Sequence, residues 1–593
     1  MHFSRREFLQ MIGAAGAVGM LPACGSGRGT VKSPEQLYDI PKFGNVTVMH
    51  TTDTHAQLNP VYFREPNVNL GLNSAKGRPP HLVGKHLLDY FGLPSNGPEA
   101  HAFTYLNFAE AAEKYGKVGG FDHLATLVKK IRAERGDNNT LLMDGGDTWQ
   151  GSGTALWTRG QDMVDATNLL GVDVMTGHWE FTYHEEEIRK NIARFNGDFV
   201  AQNVFASVDA IFGGAEVFDE NSGRVFPPYT MKDVGGARVA VIGQAFPYTP
   251  IANPQRFIPD WSFGIKESEM QKVVDQVREK EKPDAVFVIS HNGADVDIKM
   301  GQRVRGIDVI FGGHTHDAIV EPVVVDSPDG QTVVSNAGSN GKFLAVMDMD
   351  IRDGKMRDFK YHLVPVFSNY IEPDKEMSRY IEQVRAPYLD KLNEELAVAD
   401  ELMYRRGNFN GTFDQVICDA QREVGGADIS LSPGFRWGTS VLPGQSITME
   451  HVMDQTGLTY PETYVQEMTG ERIKMVLEDV ADNLFNEDPY RQQGGDMVRV
   501  GGLDYTIDPT ATIGKRISDL TLDNGEKLEA NKTYKVAGWA TVGEQSPGEP
   551  IWDVVATYLR DRDTVSIDKL NTPKLRNVKG NPGIDDYAGE ILS

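Results

Sequence analysis

The chain has 593 residues, which is too long for one hydrophobic core, so we expect two domains plus connecting segments. Hydrophobic residues make up 40% and charged residues 24% of the chain, which is ordinary for a folded protein and carries no signature of disorder. The formal net charge of -25 argues against a nucleic-acid surface, because phosphate backbones are bound by clustered lysine and arginine.

The N-terminus has the pattern of a twin-arginine export signal. Arg5 and Arg6 precede an apolar run, Met11–Leu21, that is too short to anchor a chain across a bilayer. We therefore predict that residues 1–30 are an export signal, that the mature protein is periplasmic, and that it has no transmembrane span. Cys24 ends "LPAC", an imperfect lipidation site, so a membrane-tethered lipoprotein stays an open alternative. The only other cysteine, Cys418, is expected to be a buried core thiol.

Strand-like segments recur after the signal, and each ends in a polar loop. They are "VTVMH", "TLLMD", "VDVM", "FVAQNV", "RVAVIG", "DAVFVIS" and "DVIFGG", with helical patterns such as "FDHLATLVKKIRAERG" between several of them. Strands that alternate with helices predict an α/β layered domain, here over residues 45–365, with ligands bound at the carboxyl ends of the strands.

One stretch, residues 63–120, interrupts this pattern. It is rich in proline, glycine, asparagine and histidine and is longer than a structural connection normally needs. We interpret it as an insertion that forms a lid or a substrate-contacting loop, and a surface decoration is the alternative.

The second half of the chain predicts another α/β domain. Residues 366–402 are expected to connect the two domains, with residues 374–399 as one long helix. The second domain is expected over residues 403–562, because "NGTFDQVICDAQREVGGADISLSP" has the pattern of a helix followed by a strand. The polar tail, residues 563–593, is expected to wrap back over the body.

Five loops at strand ends carry candidate metal ligands. These are Asp53 and His55 in "TTDTHAQL", Asp147 in "MDGGDTWQGS", His178 in "GHWEFTY", His291 in "SHNG", and His314 and His316 in "GGHTHD". Asp-x-His and His-x-His spacings put alternate side chains on the same side of an extended backbone, so both can reach one site. Carboxylate oxygens mixed with imidazole nitrogens suit Mn²⁺, Zn²⁺ or Fe²⁺ rather than Ca²⁺ or Cu⁺. A single histidine at a strand end is a weak signal, but five such loops in order predict a metal centre.

In this order, the motifs resemble the calcineurin-like metallophosphoesterases, and specifically the two-domain 5'-nucleotidase family. The resemblance continues in the second half, through "ADISLSPGFRWG" and "YVQEMTGERIKMVLED", and leaves out only the insertion. It implies an N-terminal layered domain of two β-sheets flanked by helices, followed by a C-terminal α/β substrate domain.

Carried over by motif, the resemblance implies two metal ions that share Asp147. One ion would be held by Asp53, His55, Asp147 and His316, and the other by Asp147, His178, His291 and His314. Two ions roughly 3.5–4 Å apart can clamp the oxygens of an in-line displacement and supply hydroxide near neutrality, so that no protein general base is required. Asp147, His178 and Arg436 are the predicted catalytic residues.

The loop "GHWEFTY" departs from the family pattern, which reads G-N-H-E-F-D. His178 replaces the asparagine and can still bind metal. Trp179 and Thr182 replace a His-Asp dyad that steadies the phosphoryl transition state, and neither can do so. The loop has therefore kept its metal function and lost its phosphoryl-specific partner. We hypothesise that a sulfonate, which carries one negative charge instead of two, does not need that partner.

Within the family, the motifs closely resemble the SoxB branch, the thiosulfohydrolases of the periplasmic sulfur-oxidation (Sox) system. The segments that carry this resemblance are "GHWEFTY", "YFREPNVNLG", "GQAFPYTPIANP" and "SPGFRWGTSVLPGQSITMEHVMDQTG". The resemblance implies hydrolysis of the terminal sulfonate from a cysteine-linked thiosulfonate on the SoxYZ sulfur-carrier protein, which releases sulfate. It further implies two Mn²⁺ ions, with Zn²⁺ or Fe²⁺ as alternatives, and other Sox components as further partners.

Arg436, Trp179 and Tyr183 are the predicted substrate-binding residues. Because a carrier's cysteine arm must reach the metals, we expect a narrow channel between the insertion and the turn around Arg436. Two alternatives stay open: a periplasmic 5'-nucleotidase or cyclic-nucleotide phosphodiesterase, and a metal-binding adaptor for other Sox proteins that has no activity.

Overall fold

The computed structural model describes residues 29–592. The twin-arginine motif and Cys24 lie outside the described residues. Within the described part of the chain, no helix is both long and apolar enough to cross a bilayer.

The first domain is a sandwich of two six-stranded sheets. In spatial order, the first sheet contains Lys355–Pro365, Phe343–Arg352, Val46–Thr51, Thr140–Asp144, Val174–Met175 and Asp198–Phe199. The second contains Val323–Ser327, Gly330–Asn336, Val309–Gly312, Ala285–Ser290, Ala237–Gln244 and Tyr229–Val234. Val46, Val239 and Phe311 belong to one buried cluster, so the two sheets face each other across a shared apolar core. The predicted fold class, two β-sheets flanked by helices, is confirmed.

Helices cover the outer faces of both sheets. Phe121–Arg135, Gln161–Leu170 and Glu185–Arg194 pack on the first sheet, while Glu267–Gln276 and Ala294–Arg303 pack on the second. The other helices of this half are Pro34–Leu37, Gly84–Phe91, Pro98–Phe103, Phe108–Tyr115, Gly153–Thr158, Val208–Phe212 and Thr249–Ala252. Strands covered on both faces need continuous apolar runs, which explains why Val46–Thr51 and Ala285–Ser290 are buried along their whole length.

Parallel pairing brings the ends of the central strands to one edge of the sandwich. Thr51 pairs with Asp144, which in turn pairs with Met175 in the neighbouring strand. In the second sheet, Ser290 pairs with Gly312. A candidate ligand follows each of these five strand ends within three residues. The topology therefore collects the five polar loops in one place.

The second domain contains three small sheets with helices around them. Their strands, in spatial order, are Ser446–Thr448, Glu395–Ala399 and Thr564–Val565; Thr463–Thr469, Thr533–Trp539, Ile429–Ser432 and Arg499–Gly501; and Ile517–Leu522, Leu503–Ile507, Lys574–Arg576 and Ile591–Leu592. The main helices are Thr412–Gly425, Met449–Thr456, Gly470–Phe485 and Ile551–Arg560. The predicted helix followed by a strand corresponds to Thr412–Gly425 and Ile429–Ser432.

The single long helix expected over residues 374–399 is wrong. The helix Lys375–Arg385 ends just before Pro387, where a tight turn leads into a short helix, Leu389–Leu392. Proline lacks the N–H and crowds the preceding turn, so a helix cannot run through it undisturbed. The remainder, Glu395–Ala399, is a strand of the second domain and pairs with Ser446–Thr448.

The insertion connects the two domains through the C-terminal tail. Val68 forms a β-bridge with Ile584, and the Asn69 N–H donates to the Gly583 carbonyl at 2.8 Å. Val68 also accepts the Asn408 N–H through its carbonyl at 3.0 Å. Val68, Leu70 and Ile584 are buried in the core of the second domain. The insertion is therefore fixed to both halves of the molecule.

We expect Asp454, a buried carboxyl between the domains, to make stability depend on pH. It accepts hydrogen bonds from Gln57 Nε2 at 3.2 Å and Thr439 Oγ1 at 3.3 Å, and burial, with the charge of Glu450, raises its pKa to about 8. The unfolded chain releases this proton near pH 4, so the folded state loses stability as the pH rises from about 4 to about 8. Asp454→Asn should therefore gain stability relative to the wild type across this window, by an amount on the order of a few kcal/mol.

Chemical unfolding of both proteins between pH 4 and 9 measures the difference. Asp400→Asn, at an exposed position of the same domain, is the matched control and should follow the wild type at every pH. Parallel curves for Asp454→Asn and the wild type would contradict the expectation.

Candidate metal centre

The loops at the strand ends bring seven side chains together in two overlapping groups. One group is Asp53, His55, Asp147 and His316, and the other is Asp147, His178, His291 and His314; within each group the ligand atoms all lie within 4.8 Å of one another. Asp147 belongs to both groups, and all seven side chains are buried. These are the residues that the sequence predicted as ligands.

Asp147 lies at the centre of the arrangement. Its Oδ2 atom is 3.0 Å from His291 Nε2, 3.2 Å from His178 Nδ1 and 3.9 Å from His55 Nε2. Its other oxygen, Oδ1, accepts the backbone N–H of Trp179 at 2.7 Å. The carboxylate is therefore held by one oxygen and presents the other to both groups.

The backbone at the ligands adopts an uncommon conformation. Asp53, His55, Asp147, His314 and His316 all have positive φ, at 51°, 47°, 58°, 75° and 58°. The left-handed region costs a residue other than glycine about 1–3 kcal/mol and persists only where the surroundings enforce it. Concentrated at five of the seven candidate ligands, this strain marks a functional site.

Glu180 enforces part of this geometry, and sequence reasoning missed it. Its carboxylate accepts four backbone N–H groups, those of Asp147, Thr148, Trp149 and His178, at 2.8–3.2 Å. It therefore ties two ligand loops to each other. Its place in "HWEF" gives no sign of this role, because three of the four contacts are made to backbone 31–33 residues away.

Gly313 allows the loops to approach closely. A Cβ atom at this position would lie 2.3 Å from Thr52 Oγ1 and 3.0 Å from Asp53 Oδ2. The next residue, His314, donates its N–H to Asp53 Oδ2 at 2.9 Å. Any larger residue at 313 would push apart the first and last ligand loops.

The charges of the centre depend strongly on one another. Burial raises the pKa of Asp53. Burial would also raise the pKa of Asp147, but His178 and His291 hold it well below its usual value. Burial would lower the pKa of His291, but Asp147 and Asp53 raise it to about 10. Asp53 and Asp147 thus favour a positive charge at the buried position of His291.

The donor set fits a pair of divalent ions. Mixed oxygen and nitrogen ligands suit first-row metals. His55 Nε2 lies 3.1 Å from His316 Nε2, so two ring nitrogens lie close together at a position where both could coordinate one cation. The Nε2 atoms of His178 and His314 are buried and have no hydrogen-bond partner among the described residues. The identity of the metal stays a prediction.

A cavity of about 1390 Å³ adjoins the centre at His314. Its walls come from the insertion (Asn69–His81), from the start of the helix Ala294–Arg303, and from residues 483–495 of the second domain. Arg436 also lines it. The insertion and the Arg436 turn thus border the approach to the metals, and residues 483–495 form a third wall that the sequence did not indicate.

Arg436 is tightly held at this cavity. It donates to the Gly495 carbonyl at 2.7 Å, to the Thr315 carbonyl at 3.3 Å and to Asp496 Oδ1 at 3.3 Å. Two of the five N–H donors of a guanidinium then have no acceptor within the described part of the chain. These two donors are what Arg436 can offer to an oxyanion.

The two aromatic residues predicted to contact substrate lie in different settings. The Trp179 ring lies 4.8 Å from the His178 ring and packs on Phe435 and Trp437 of the second domain. Neither residue lines the cavity, and the Tyr183 hydroxyl donates to the Trp149 carbonyl at 3.0 Å. The position of Tyr183 is that of a packing residue, because its polar group is occupied by the backbone.

Three further neighbours of the centre were not apparent from the sequence. Phe246 packs on both His178 and His314, with ring centroids 4.1 Å from each. Arg406 is buried and donates to the His316 carbonyl at 3.3 Å. Trp437 lies 5.3 Å from His55, ring to ring. Phe246 and Trp437 lie in segments that carry the family resemblance, but their contacts with the candidate ligands depend on the tertiary fold.

Comparisons with known proteins agree with this architecture. Residues 46–318 match the model for the calcineurin-like phosphoesterases, and residues 396–550 match that for the 5'-nucleotidase C-terminal domain. The solved structure of the sulfate thiohydrolase SoxB from Thermus thermophilus superposes with a TM-score of 0.83 at 35% identity, and the alignment covers 91% of this chain and 98% of that one. The chain belongs to the SoxB family.

Its more distant relatives include UshA and a nucleotide phosphoesterase. UshA of Yersinia enterocolitica is 25% identical over 484 residues, which cover 73% of this chain and 83% of UshA. The trifunctional nucleotide phosphoesterase YfkN of Bacillus subtilis is 26% identical over 471 residues, but the match spans only 31% of that longer protein. The SoxB family therefore lies within the metallophosphoesterases, and the prediction that this member is a hydrolase is confirmed.

We expect the purified protein to bind about two divalent ions per chain, and Asp147→Asn to remove at least one of them. The neutral amide provides no bridging carboxylate between the two groups, so both ions lose a ligand. Elemental analysis after exposure to Mn²⁺ and desalting gives the stoichiometry. Asp162→Asn is the matched control, since Asp162 is equally buried but bonded to Thr158 outside both groups. Two retained ions in Asp147→Asn would contradict the assignment.

Proposed function

We propose that the protein hydrolyses the terminal sulfonate from a cysteine-linked thiosulfonate on the SoxYZ carrier and releases sulfate. The observation that carries the proposal is the loop of residues 177–183. It keeps a candidate ligand, His178, and puts an indole, Trp179, where the nucleotidase pattern has a catalytic imidazole. The 35% identity to a sulfate thiohydrolase along nearly the whole of both chains supports the same reading.

The chain's own residues would hold and orient the substrate. Two Mn²⁺ ions held by the seven ligands would supply Lewis-acid activation of water and charge for the oxyanion. Arg436, through its two remaining N–H donors, would bind a sulfonate oxygen at the side of His314. Phe246 and Trp179, packed against the imidazoles, would exclude bulk water from the reacting group.

The partner and the compartment belong to the same proposal. The cavity between the insertion and residues 483–495 offers a route for the cysteine arm of the carrier to reach His314. Export to the periplasm is inferred from the twin-arginine pattern around Arg5 and Arg6 alone.

A second candidate is a periplasmic 5'-nucleotidase. It is favoured by relatives named as 5'-nucleotidases, which include those of Vibrio vulnificus and Rattus norvegicus at 25–26% identity. The absence of an imidazole at residue 179 weighs against it, since general acid–base groups at such sites contribute about 10²–10⁴-fold to the rate.

The direct test measures sulfate release from a SoxYZ carrier loaded with cysteine thiosulfonate, with AMP as the competing substrate. We expect sulfate release that stops on chelation and returns with Mn²⁺, and slow or no release of phosphate from AMP. Ion chromatography measures both products. Rapid phosphate release from AMP without any sulfate from the carrier would favour the nucleotidase instead.

A second prediction concerns Trp179 and Thr182. The double variant Trp179→His, Thr182→Asp restores the dyad of the nucleotidase pattern, so we expect the ratio of phosphatase to thiosulfohydrolase activity to rise at least about tenfold. Trp179→Phe is the matched control, because it shortens the same side chain without adding an imidazole. Metal content and thermal unfolding check that both variants keep the centre. An unchanged ratio in the double variant would count against the proposed role of this loop.

A further inference from the structure

Trp437 joins the metal centre to the second domain. Its ring is 2% exposed and stacks on Phe435 with centroids 3.9 Å apart. It lies 5.3 Å from the His55 ring and 5.2 Å from the Trp179 ring, which in turn contacts His178. Trp437 therefore contacts one ligand group directly, through His55, and reaches the other through Trp179.

The indole nitrogen of Trp437 has no acceptor. Its Nε1 atom is enclosed, and no hydrogen-bond partner exists for it among the described residues. An indole N–H can only donate, and a buried donor without a partner destabilises the folded protein. A group that stays unpaired next to a catalytic centre is explained if a bound molecule supplies the acceptor.

Burial of an unpaired indole is not sufficient by itself. Trp149 and Trp261 also have enclosed Nε1 atoms without partners, but their rings pack among phenylalanines. Within the described part of the chain, neither ring packs on the ring of a candidate histidine ligand. Among the described residues, only Trp437 combines an enclosed, unpaired indole N–H with contact to the ring of a candidate ligand, His55.

We propose that the Trp437 N–H donates a hydrogen bond to an oxygen of the tetrahedral oxyanion bound at the metal centre. With Arg436, the preceding residue, Trp437 gives the second domain two side chains that donate hydrogen bonds to the substrate. The donor is neutral, so it orients a sulfonate or sulfate without adding the positive charge that an imidazolium would bring. The identification of this oxyanion as a sulfonate rests on the proposed function, whereas the binding of a tetrahedral oxyanion does not.

The test follows the indole N–H directly. The chain has seven tryptophans, so the ¹⁵N-indole spectrum of the zinc-loaded full-length protein has at most seven signals, and Trp437→Phe assigns the relevant one. On titration with sulfate or tungstate, we expect the Trp437 proton to move downfield by more than the Trp261 proton. No such movement with either anion, at any concentration that binds, would overturn the proposal.

Calorimetry of the variants gives an independent measure. Trp437→Phe keeps an aromatic ring but removes the N–H donor, so we expect sulfate and tungstate to bind about tenfold more weakly. We expect the KM for an ester substrate that the metal-loaded protein hydrolyses to rise by a similar factor. Trp261→Phe loses the same atoms from a site away from the metals and should change both values less than twofold. Equal effects in the two variants would overturn the proposal, and the spectrum of the wild type decides the question if Trp437→Phe does not fold.

The two proposals fail in distinguishable ways. If the indole signal responds to sulfate but the carrier thiosulfonate is not cleaved, Trp437 is an oxyanion donor in an enzyme with another substrate. If the thiosulfonate is cleaved and the signal does not respond, the reaction stands and the role of Trp437 falls.

Discussion

The structure depends on burying two carboxylates and five imidazoles at one edge of a β-sandwich. Asp53 and Asp147 are fully enclosed, and an ionised carboxylate in such surroundings is strongly unfavourable unless opposite charge accompanies it. Without metal, the chain can provide that charge only by protonating imidazoles, as the raised pKa of His291 indicates. Bound cations do so better, and their binding free energy can offset both the desolvation and the strained backbone at the ligands.

The surrounding fold serves to keep these seven side chains in place. Parallel pairing aligns the strand ends, and Glu180 ties two of the loops together through four N–H groups. The second domain then closes the remaining side with Trp437 and Arg436. Because Val68 of the insertion and Ile584 of the C-terminal tail form a β-bridge and share the apolar core of the second domain, that side is held next to the ligand loops.

Sequence reasoning found what local patterns encode. The seven candidate ligands follow apolar strands at short spacing, and the first domain shows its layers through alternation of strand and helix, so both could be predicted. The prediction of one long helix over residues 374–399 was wrong because it followed the helical periodicity and disregarded Pro387. It also missed the strand Glu395–Ala399, whose pairing depends on a distant segment. Glu180, Phe246 and Trp437 act through contacts that span tens to hundreds of residues, and no spacing rule records such contacts.

The candidate metal ligands and the residues that would contact the substrate lie in different parts of the fold, and this separation bears on how substrate specificity can change. The ligand loops are built into the sheets, where strain and burial leave little freedom for substitution. Residues that would meet the substrate beyond the metals lie in the insertion, in the loop after His178 and in the turn Phe435–Trp437, and the first two of these segments depart from the nucleotidase pattern. A change of bond type can therefore leave a metal-binding residue at every ligand position, including His178 in place of the asparagine, since a tetrahedral oxyanion of sulfur or phosphorus presents similar oxygens to the metals. What must change is the charge and shape of the protein groups that contact the substrate away from the metals. At residue 179, this chain has a neutral indole where the nucleotidase pattern has an imidazole.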